Sequence, residues 1–149
     1  MAEMLDSNQH LNIELDIIKL NKLINHFNNK DIVICTDSNS WSSLWGCDKF
    51  NSRGENLDEF IKLINLKVSN NNFSIPTFYQ SSTSDGRTTI KQSFIDITMF
   101  RSSNVNLIRD WSISDKDLGA DHRLITFEIS LFIVNRTNFV SPLTSTKLI

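Results

Sequence analysis

The spacing of apolar residues predicts two amphipathic helices. Between residues 11 and 27, apolar side chains recur every three or four positions and share one helical face; they are Ile13, Ile17, Leu20, Ile24 and Phe27. A second apolar face runs through residues 55–66. Asn51 and Ser52 both precede it, and either is suited to cap the helix start.

Continuous or alternating apolar runs predict strands elsewhere. Residues 31–35, DIVIC, suit a strand that is buried on both faces. Residues 75–80 predict a strand entered at Pro76. The turn cluster at 81–86 ends in an Asp-Gly pair, which is typical of a hairpin, and the return strand over 87–100 is long enough to contain a bulge.

The C-terminal part of the chain predicts two more strands, at 111–114 and 122–134, the second partly alternating between polar and apolar positions. Residues 135–149 are predicted to be a loose tail or the start of a linker, which leaves one domain over 1–134. The order of helix, strand, helix and four strands favours a mixed α/β sandwich over a doubly wound parallel fold.

Composition excludes several classes of protein. With 40% hydrophobic residues the chain has enough apolar material for a core, so full disorder is not expected. The net charge of -2 provides no overall basic field, and any polyanion must therefore be held by a local site. The start of the chain lacks the pattern of a secretory signal, and the most apolar run, 129–134, is too short to span a bilayer. We expect an intracellular protein, nuclear or cytoplasmic, that is not secreted and has no membrane partner.

The spacing of the two cysteines is also consistent with an intracellular protein. Cys35 and Cys47 have neither CxxC nor metal-ligand spacing, so they are interpreted as reduced thiols.

Polar residues stand at the ends of predicted strands, where apolar neighbours make them unusual. Asp37 and Asn39 follow the first strand, Asp96 interrupts SFIDITMF, and the pair Asp121 and His122 opens the last strand. Hydrolysis of a phosphodiester requires a divalent cation, a group that activates water and a donor for the developing charge. Carboxylates, an amide and an imidazole supply that set of groups.

Each of these motifs also has a plain structural interpretation. Asp and Asn two residues apart are common in turns, because both side chains satisfy nearby backbone groups. An Asp-His pair before a strand is often a solvated loop, and Asp96 fits an outward-facing position. Spacing along the chain does not show whether these side chains converge.

The segments TDSNS, SLWG, NSRGENLDEFI, PTF, SFIDIT and ADHRLITFEI, with Trp111, resemble the C-terminal half of the endonuclease domain of non-LTR retrotransposons. The resemblance extends from about Asp31 to Ile129. It places the chain in the endonuclease/exonuclease/phosphatase superfamily, with abasic-site endonucleases and DNase I. The resemblance implies a four-layered α/β sandwich, present here as its C-terminal half only. It also implies Mg²⁺ as cofactor, with Mn²⁺ as a substitute, and nicking of DNA so that the new 3′ end primes reverse transcription.

The resemblance implies a role for each matching residue. Asp37 would handle the nucleophile or leaving group, and Asn39 would contact the scissile phosphate. Asp96 would orient the catalytic histidine, His122, and Asp121 would be the metal-associated acid.

Four further residues have weaker assignments. Ser93 opens the S-x-I-D motif and would support the same network. Arg87, Lys91 and Trp41 are candidate DNA contacts, the first two through phosphates. Solvated turn charges are an equal alternative for Arg87 and Lys91, and a packing aromatic is the commoner role for Trp41.

The chain departs from the family pattern at its start. The N-terminal half of the domain contributes an asparagine, a metal-binding glutamate and a tyrosine, and residues 1–30 match only its last helix. Glu14 lies within that helix and is not expected to replace the glutamate. Thr36 and Ser38 stand where a glycine and an apolar or small residue are usual, without removing a needed chemical group.

We therefore expect about half a catalytic site, inactive by itself, whose partners are DNA, the missing N-terminal half and a reverse transcriptase in a longer polyprotein. One alternative is a truncated mobile-element remnant with at most weak DNA binding. Another is a phosphoesterase of the same superfamily that acts on a phosphoinositide or a nucleotide.

Overall fold

The computed structural model describes residues 3–28, 30–71, 73–116 and 118–130. These ranges contain α1 (Glu3–His26), β1 (Ile32–Asp37), a short 3₁₀ helix (Ser43–Trp45), α2 (Ser52–Leu63), β2 (Lys67–Val68), β3 (Phe78–Ser84), β4 (Arg87–Ser93), β5 (Asp96–Arg101), β6 (Ile108–Ile113) and β7 (Ile125–Ile129). No helix in the described ranges is long and apolar enough to cross a membrane. The predicted tail at 135–149 and the end of the last predicted strand lie outside the described residues.

Both predicted helices are confirmed, and local chemistry explains where α2 begins. The Asn51 side chain accepts a hydrogen bond from the Gly54 N–H at 2.7 Å, which caps the helix. Glu55 in the first turn and Lys62 in the last complement the helix dipole. The cap and the two charges therefore favour a helix in this segment, while its buried face fixes how it packs.

Strand β5 is the centre of the main sheet, with β1 on one side and β2 on the other, both antiparallel to it. Residues that lie opposite each other in the ladder point to the same face. Ile34 pairs with Met99 on the helix-facing side, whereas Cys35 pairs with Thr98 on the other. The two faces of this sheet consequently meet different environments.

The larger core lies between the helices and the main sheet. Its buried members come from α1, the 3₁₀ helix, α2, the residue before β2, and β5; they are Ile24, Trp45, Leu57, Phe60, Ile61, Leu66, Ile97 and Met99. Trp45 and Met99 are fully buried. Burial of these side chains is the main favourable term that holds the helix layer on the sheet.

A second, smaller core attaches the β6 and β7 sheet to the opposite face of the main sheet. Trp111 and Phe127 are buried there, and Val33 of β1 packs against them. The indole N–H of Trp111 donates a hydrogen bond to the Thr98 hydroxyl at 3.0 Å. The described residues thus form three layers: helices, the main sheet and the β6 and β7 sheet.

The predicted hairpin is confirmed as β3 and β4. Asp85 and Gly86 both have left-handed backbone angles, with φ of 52° and 74°, as a two-residue hairpin turn of the primed type requires. Most side chains of the ribbon beyond residue 80 are exposed. The hairpin is anchored at its base, where Phe78 and Gln80 contact His122 and Asp121.

Two strand predictions were wrong. The return strand does not run from 87 to 100 with a bulge, because it breaks at Phe94 and Ile95 into β4 and β5, which belong to different sheets. The Ile95 carbonyl accepts the Ser38 N–H and the Ile95 N–H donates to Thr77, so neither group is available to continue the hairpin ladder. Within the described ranges six strands follow α2, where four were expected, because β2 was missed as well.

The sequence predicted that β1 is buried on both faces, and this prediction was wrong. A groove of about 540 Å³ separates its outer face from β7, lined in part by Cys35, Thr98 and Phe127, with Asp37 and Asp96 at one end. Cys35 is solvent-accessible in this groove. Partial burial raises the pKa of its thiol, and a hydrogen bond with Thr98 opposes that shift.

Two leucines of α2 provide a matched test of the larger core. Leu57 is 4% exposed and Leu63 is 82% exposed. We expect Leu57→Ala to lower the free energy of unfolding by about 3 kcal/mol, because it leaves a cavity. Leu63→Ala should change it by about 0.5 kcal/mol or less. Urea denaturation of both variants measures the difference, and equal losses would contradict the packing described here.

The raised pKa of Cys35 predicts a pH dependence for its alkylation. The thiolate is the reactive form, so a raised pKa leaves less thiolate at neutral pH and slows the reaction. The rate should keep rising at pH values where an ordinary cysteine has already levelled off. Iodoacetamide labelling followed by mass spectrometry measures the profile, and Cys35→Ser, which retains only Cys47, gives the background. Levelling at or below the ordinary pKa would refute the prediction.

Candidate active site

Asp37 and Asp96 are brought together by the register of the main sheet. Asp37 is the last residue of β1 and Asp96 the first of β5, and the ladder places them directly opposite each other. Like charges at such a position repel and destabilise a sheet. A pair of carboxylates here is therefore a reason to look for a chemical role.

The imidazole of His122 lies between these two carboxylates. Its Nδ1 atom is 3.0 Å from Asp96 Oδ2 and 3.2 Å from Asp96 Oδ1, while its Nε2 atom is 3.9 Å from Asp37 Oδ2. The first contact is a hydrogen bond and the second is too long to be one. If Nδ1 carries the proton and donates a hydrogen bond to Asp96, Nε2 is left as an acceptor that faces Asp37.

Backbone bonds to the start of β3 fix the position of His122. The Tyr79 N–H donates to the Asp121 carbonyl at 2.7 Å, and the Arg123 N–H donates to the Thr77 carbonyl at 2.8 Å. Phe78 forms a bridge with His122 and packs edge-on against its ring, with centroids 5.2 Å apart. The histidine is thus held by residues before and after it, as well as through its own ring.

Thr77 connects this segment to Asp96. It is fully buried, and its hydroxyl oxygen accepts hydrogen bonds from the N–H groups of Ile95 and Asp96 at 3.0 and 3.1 Å. Sequence reasoning did not assign Thr77 a role, although the PTF segment that contains it was part of the resemblance. The Thr77 hydroxyl therefore fixes the backbone of Asp96, and the Thr77 backbone carbonyl holds the segment that carries His122.

The loop after β1 alternates between buried and exposed residues. Ser38, Ser40 and Ser42 are buried, whereas Asn39 and Trp41 are exposed. The Asn39 N–H donates to Asp37 Oδ1 at 3.2 Å, and Asn39 has a left-handed backbone with φ of 48°. This local bond is typical of an Asx turn, so the composition-based interpretation was correct as far as it went.

The buried serines attach that loop to its neighbours. The Ser38 hydroxyl donates to the Ile95 carbonyl at 2.8 Å, and Ser40 donates to the Ser38 hydroxyl at 2.5 Å. The indole N–H of Trp45 donates to the Ser40 carbonyl at 3.1 Å. The hydrogen bonds of the buried serines therefore fix the backbone of this loop, and with it the positions of the exposed residues Asn39 and Trp41.

Asp121 is next to His122 but its side chain has a different partner. Its Oδ2 atom accepts a hydrogen bond from the Gln80 amide at 3.0 Å. It lines a pocket of about 260 Å³ together with Tyr79, Lys116 and His122. Gln80 was not anticipated, and nothing in its sequence context marked it.

The remaining predicted residues lie around this centre at different distances. Ser93 borders a shallow pocket with Trp41 and pairs with Phe78 at the base of the hairpin. Lys91 is opposite Gln80, near the site, whereas Arg87 is at the turn, about 13 Å further along the strand. Trp41 is 42% exposed.

Among the residues that the structure describes, the side chains of Asp37, Asp96 and His122 could hold a metal ion. One ligand atom from each lies within 4.8 Å of the others, and Asp121 does not belong to this group. Carboxylate oxygens suit Mg²⁺ and Mn²⁺, while an imidazole nitrogen favours later transition metals. The two carboxylates therefore fit the expected cation, and the hydrogen bond to Asp96 favours a proton-handling role for the imidazole.

Comparisons with known proteins identify the fold and the family. Residues 6–126 match the model of the endonuclease-reverse transcriptase family. No curated protein matches the chain. The solved endonuclease domain of TRAS1, a telomere-specific non-LTR retrotransposon, is similar, with a TM-score of 0.70 and 24% sequence identity. The match covers 80% of this chain and 52% of that one, so the chain spans about half the length of the solved domain.

These findings confirm the predicted fold, half of an endonuclease-type sandwich, and the predicted family. Because the family match covers most of its length, this chain belongs to the endonuclease-reverse transcriptase family.

Proposed function

We propose that this chain supplies the C-terminal half of a Mg²⁺-dependent active site that hydrolyses DNA phosphodiester bonds and nicks a retrotransposon target. The observation that carries the proposal is the imidazole of His122, held by Asp96 on one side and facing Asp37 on the other. A base that is oriented by one acid, with its second nitrogen free, is the arrangement that water activation requires.

In the proposed mechanism His122 accepts a proton from the attacking water at Nε2. Asp96 holds the ring through Nδ1 and stabilises the imidazolium that forms. The water oxygen bonds to phosphorus and the bond from phosphorus to O3′ breaks, which leaves a 3′-hydroxyl on the nicked strand. Asp37 passes a proton from solvent to the leaving O3′, and the Asn39 side-chain amide donates a hydrogen bond to a phosphate oxygen.

Asp121 is assigned to the metal in this proposal on the family resemblance, although it lies outside the cluster of Asp37, Asp96 and His122. Its hydrogen bond to Gln80 leaves room for a cation, because a carboxylate has about four acceptor positions. Bound Mg²⁺ or Mn²⁺ would supply positive charge to neutralise the phosphoryl oxygens. Ser93 would support the acid pair, and Lys91, Arg87 and Trp41 would contact DNA along the hairpin and its base.

The open groove supports the idea that a further half completes the site. The groove begins at Asp37 and Asp96 and runs between Val33 of the main sheet and Phe127 of β7. The family resemblance assigns a metal-binding glutamate to the N-terminal half of the domain. We propose that this half covers the groove, and that a reverse transcriptase belongs to the same polyprotein.

The chain by itself is expected not to nick supercoiled plasmid in Mg²⁺, because the assigned glutamate is not among its residues. Gel electrophoresis of plasmid after incubation with the purified chain, with and without EDTA, measures nicking. A non-catalytic remnant gives the same result, so this experiment tests the half-site argument only. Nicking that requires Mg²⁺ and disappears in His122→Ala would overturn that argument.

Fusion to a matching N-terminal half of the domain separates an endonuclease from a remnant. We expect the fusion to nick plasmid, and His122→Ala to lower its rate roughly 10²- to 10⁴-fold, because general base catalysis is lost. His26→Ala replaces an exposed histidine at the end of α1 and should leave the rate unchanged. A folded fusion that does not nick would support the remnant with weak DNA binding.

A further inference from the structure

We propose that Asn51, Arg53 and Gly54, at the start of α2, form a clamp that positions Asp37 and Asn39 for catalysis. These three residues, termed the α2 clamp, lie 12 to 17 positions away from Asp37 and Asn39 along the chain. They are positioning residues, since they act through the backbone of the loop. The inference rests on the proposed function.

Arg53 holds one end of a single peptide group. Its Nε atom donates to the Ser38 carbonyl. The N–H of the same peptide group belongs to Asn39 and donates to Asp37 Oδ1. A positive charge on the oxygen side and a carboxylate on the hydrogen side therefore align this peptide, so Arg53 orients the Asp37 carboxylate without contacting it.

The guanidinium also has a partner on α1, which restricts its own movement. Its NH2 group pairs with Asp16 Oδ2 at 3.2 Å, and the Arg53 side chain is only 21% exposed. The planar guanidinium can serve both partners at once, because its donors have a fixed geometry. Arg53 thus connects both helices to the candidate catalytic loop.

Asn51 holds the peptide groups on the other side of Asn39. Its amide nitrogen donates to the Asn39 carbonyl at 3.4 Å, and its Oδ1 atom accepts the Trp41 N–H at 3.0 Å. Oδ1 also accepts the Gly54 N–H that caps α2. Both peptide groups of Asn39 are therefore bonded to the clamp or to Asp37, which supports its left-handed backbone.

Gly54 allows the close approach that these bonds require. A Cβ atom at this position would lie 1.8 Å from the Trp41 carbonyl oxygen. Any side chain would push the start of α2 away from the loop. A helix cap alone would explain Asn51, and helix packing alone would explain the Arg53 pair with Asp16. All three residues also contact residues 38–41, and neither helix capping nor helix packing requires those contacts.

The first experiment measures loop order in this chain. Amide hydrogen exchange by NMR is recorded for the Asn39 N–H in the parent chain, Arg53→Met and Arg53→Lys. We expect Arg53→Met to speed its exchange at least tenfold and Arg53→Lys to restore part of the protection, because lysine keeps one charged donor but not the fixed pair of donors. Arg109→Met removes an exposed arginine from β6, where it pairs with Glu128, and should leave the Asn39 exchange unchanged. Unchanged Asn39 exchange in folded Arg53→Met would overturn the clamp.

The second experiment measures catalysis in the fusion that carries both halves. Arg53→Met should lower kcat about 100-fold, as displacement of a catalytic group by about 1 Å can do, with KM changed far less. Asn51→Asp keeps the oxygen that caps α2 but loses the donor to Asn39. It should lower kcat while leaving the urea denaturation midpoint near the parent value. A fall in kcat that only follows the folded fraction would refute a positioning role.

The two experiments can fail separately. If the parent fusion does not nick DNA, the proposed function fails. The exchange of the Asn39 N–H in the unfused chain still decides whether Arg53 orders the loop.

Discussion

The antiparallel register between β1 and β5 is the constraint on which the candidate site depends. It places Asp37 opposite Asp96 because Thr36 and Ile97 are paired one step earlier, and Ile34 with Met99 two steps before that. Shifting the register by one residue would turn the side chains of one strand to the opposite face of the sheet. The packing of Ile34 and Met99 against the helix layer thus fixes a pair of like charges that sheet stability alone would not select.

The two faces of the main sheet have different roles for the same reason. The helix-facing side is filled by a continuous core, which specifies the register strongly. The opposite side carries a smaller core around Trp111 and an open groove that ends at Asp37 and Asp96. Local rules of stability are satisfied on the first face and broken on the second, and such violations concentrate at functional sites.

Local sequence signals predicted the parts of the fold that local physics decides. The two helix faces, the Asn51 cap and the Asp85-Gly86 turn were all readable, since each depends on residues within a few positions. The break between β4 and β5 was not readable. It is set by Ser38, which is 57 positions from Ile95, and by Thr77, which is 18 positions away. A continuous β-prone run gave no hint of these bonds.

The same distinction applies to the site. Residue types at strand ends and the family resemblance named Asp37, Asp96 and His122, but their convergence depends on register and on the bonds that hold residues 121–123 to Thr77 and Tyr79. Asp96 is 18% exposed and contacts the ring nitrogen, whereas Asp37 is 41% exposed and stands 3.9 Å from the other nitrogen. In the proposed function the less exposed acid, Asp96, orients the base, because it already bonds the ring nitrogen. In the proposed function a phosphodiester approaches the more exposed carboxylate, Asp37, which accepts a hydrogen bond from the peptide that Arg53 holds. Under the proposed function, this difference in exposure and distance favours Asp96 as the orienting acid and Asp37 as the substrate-facing acid, a division that sequence spacing alone does not contain.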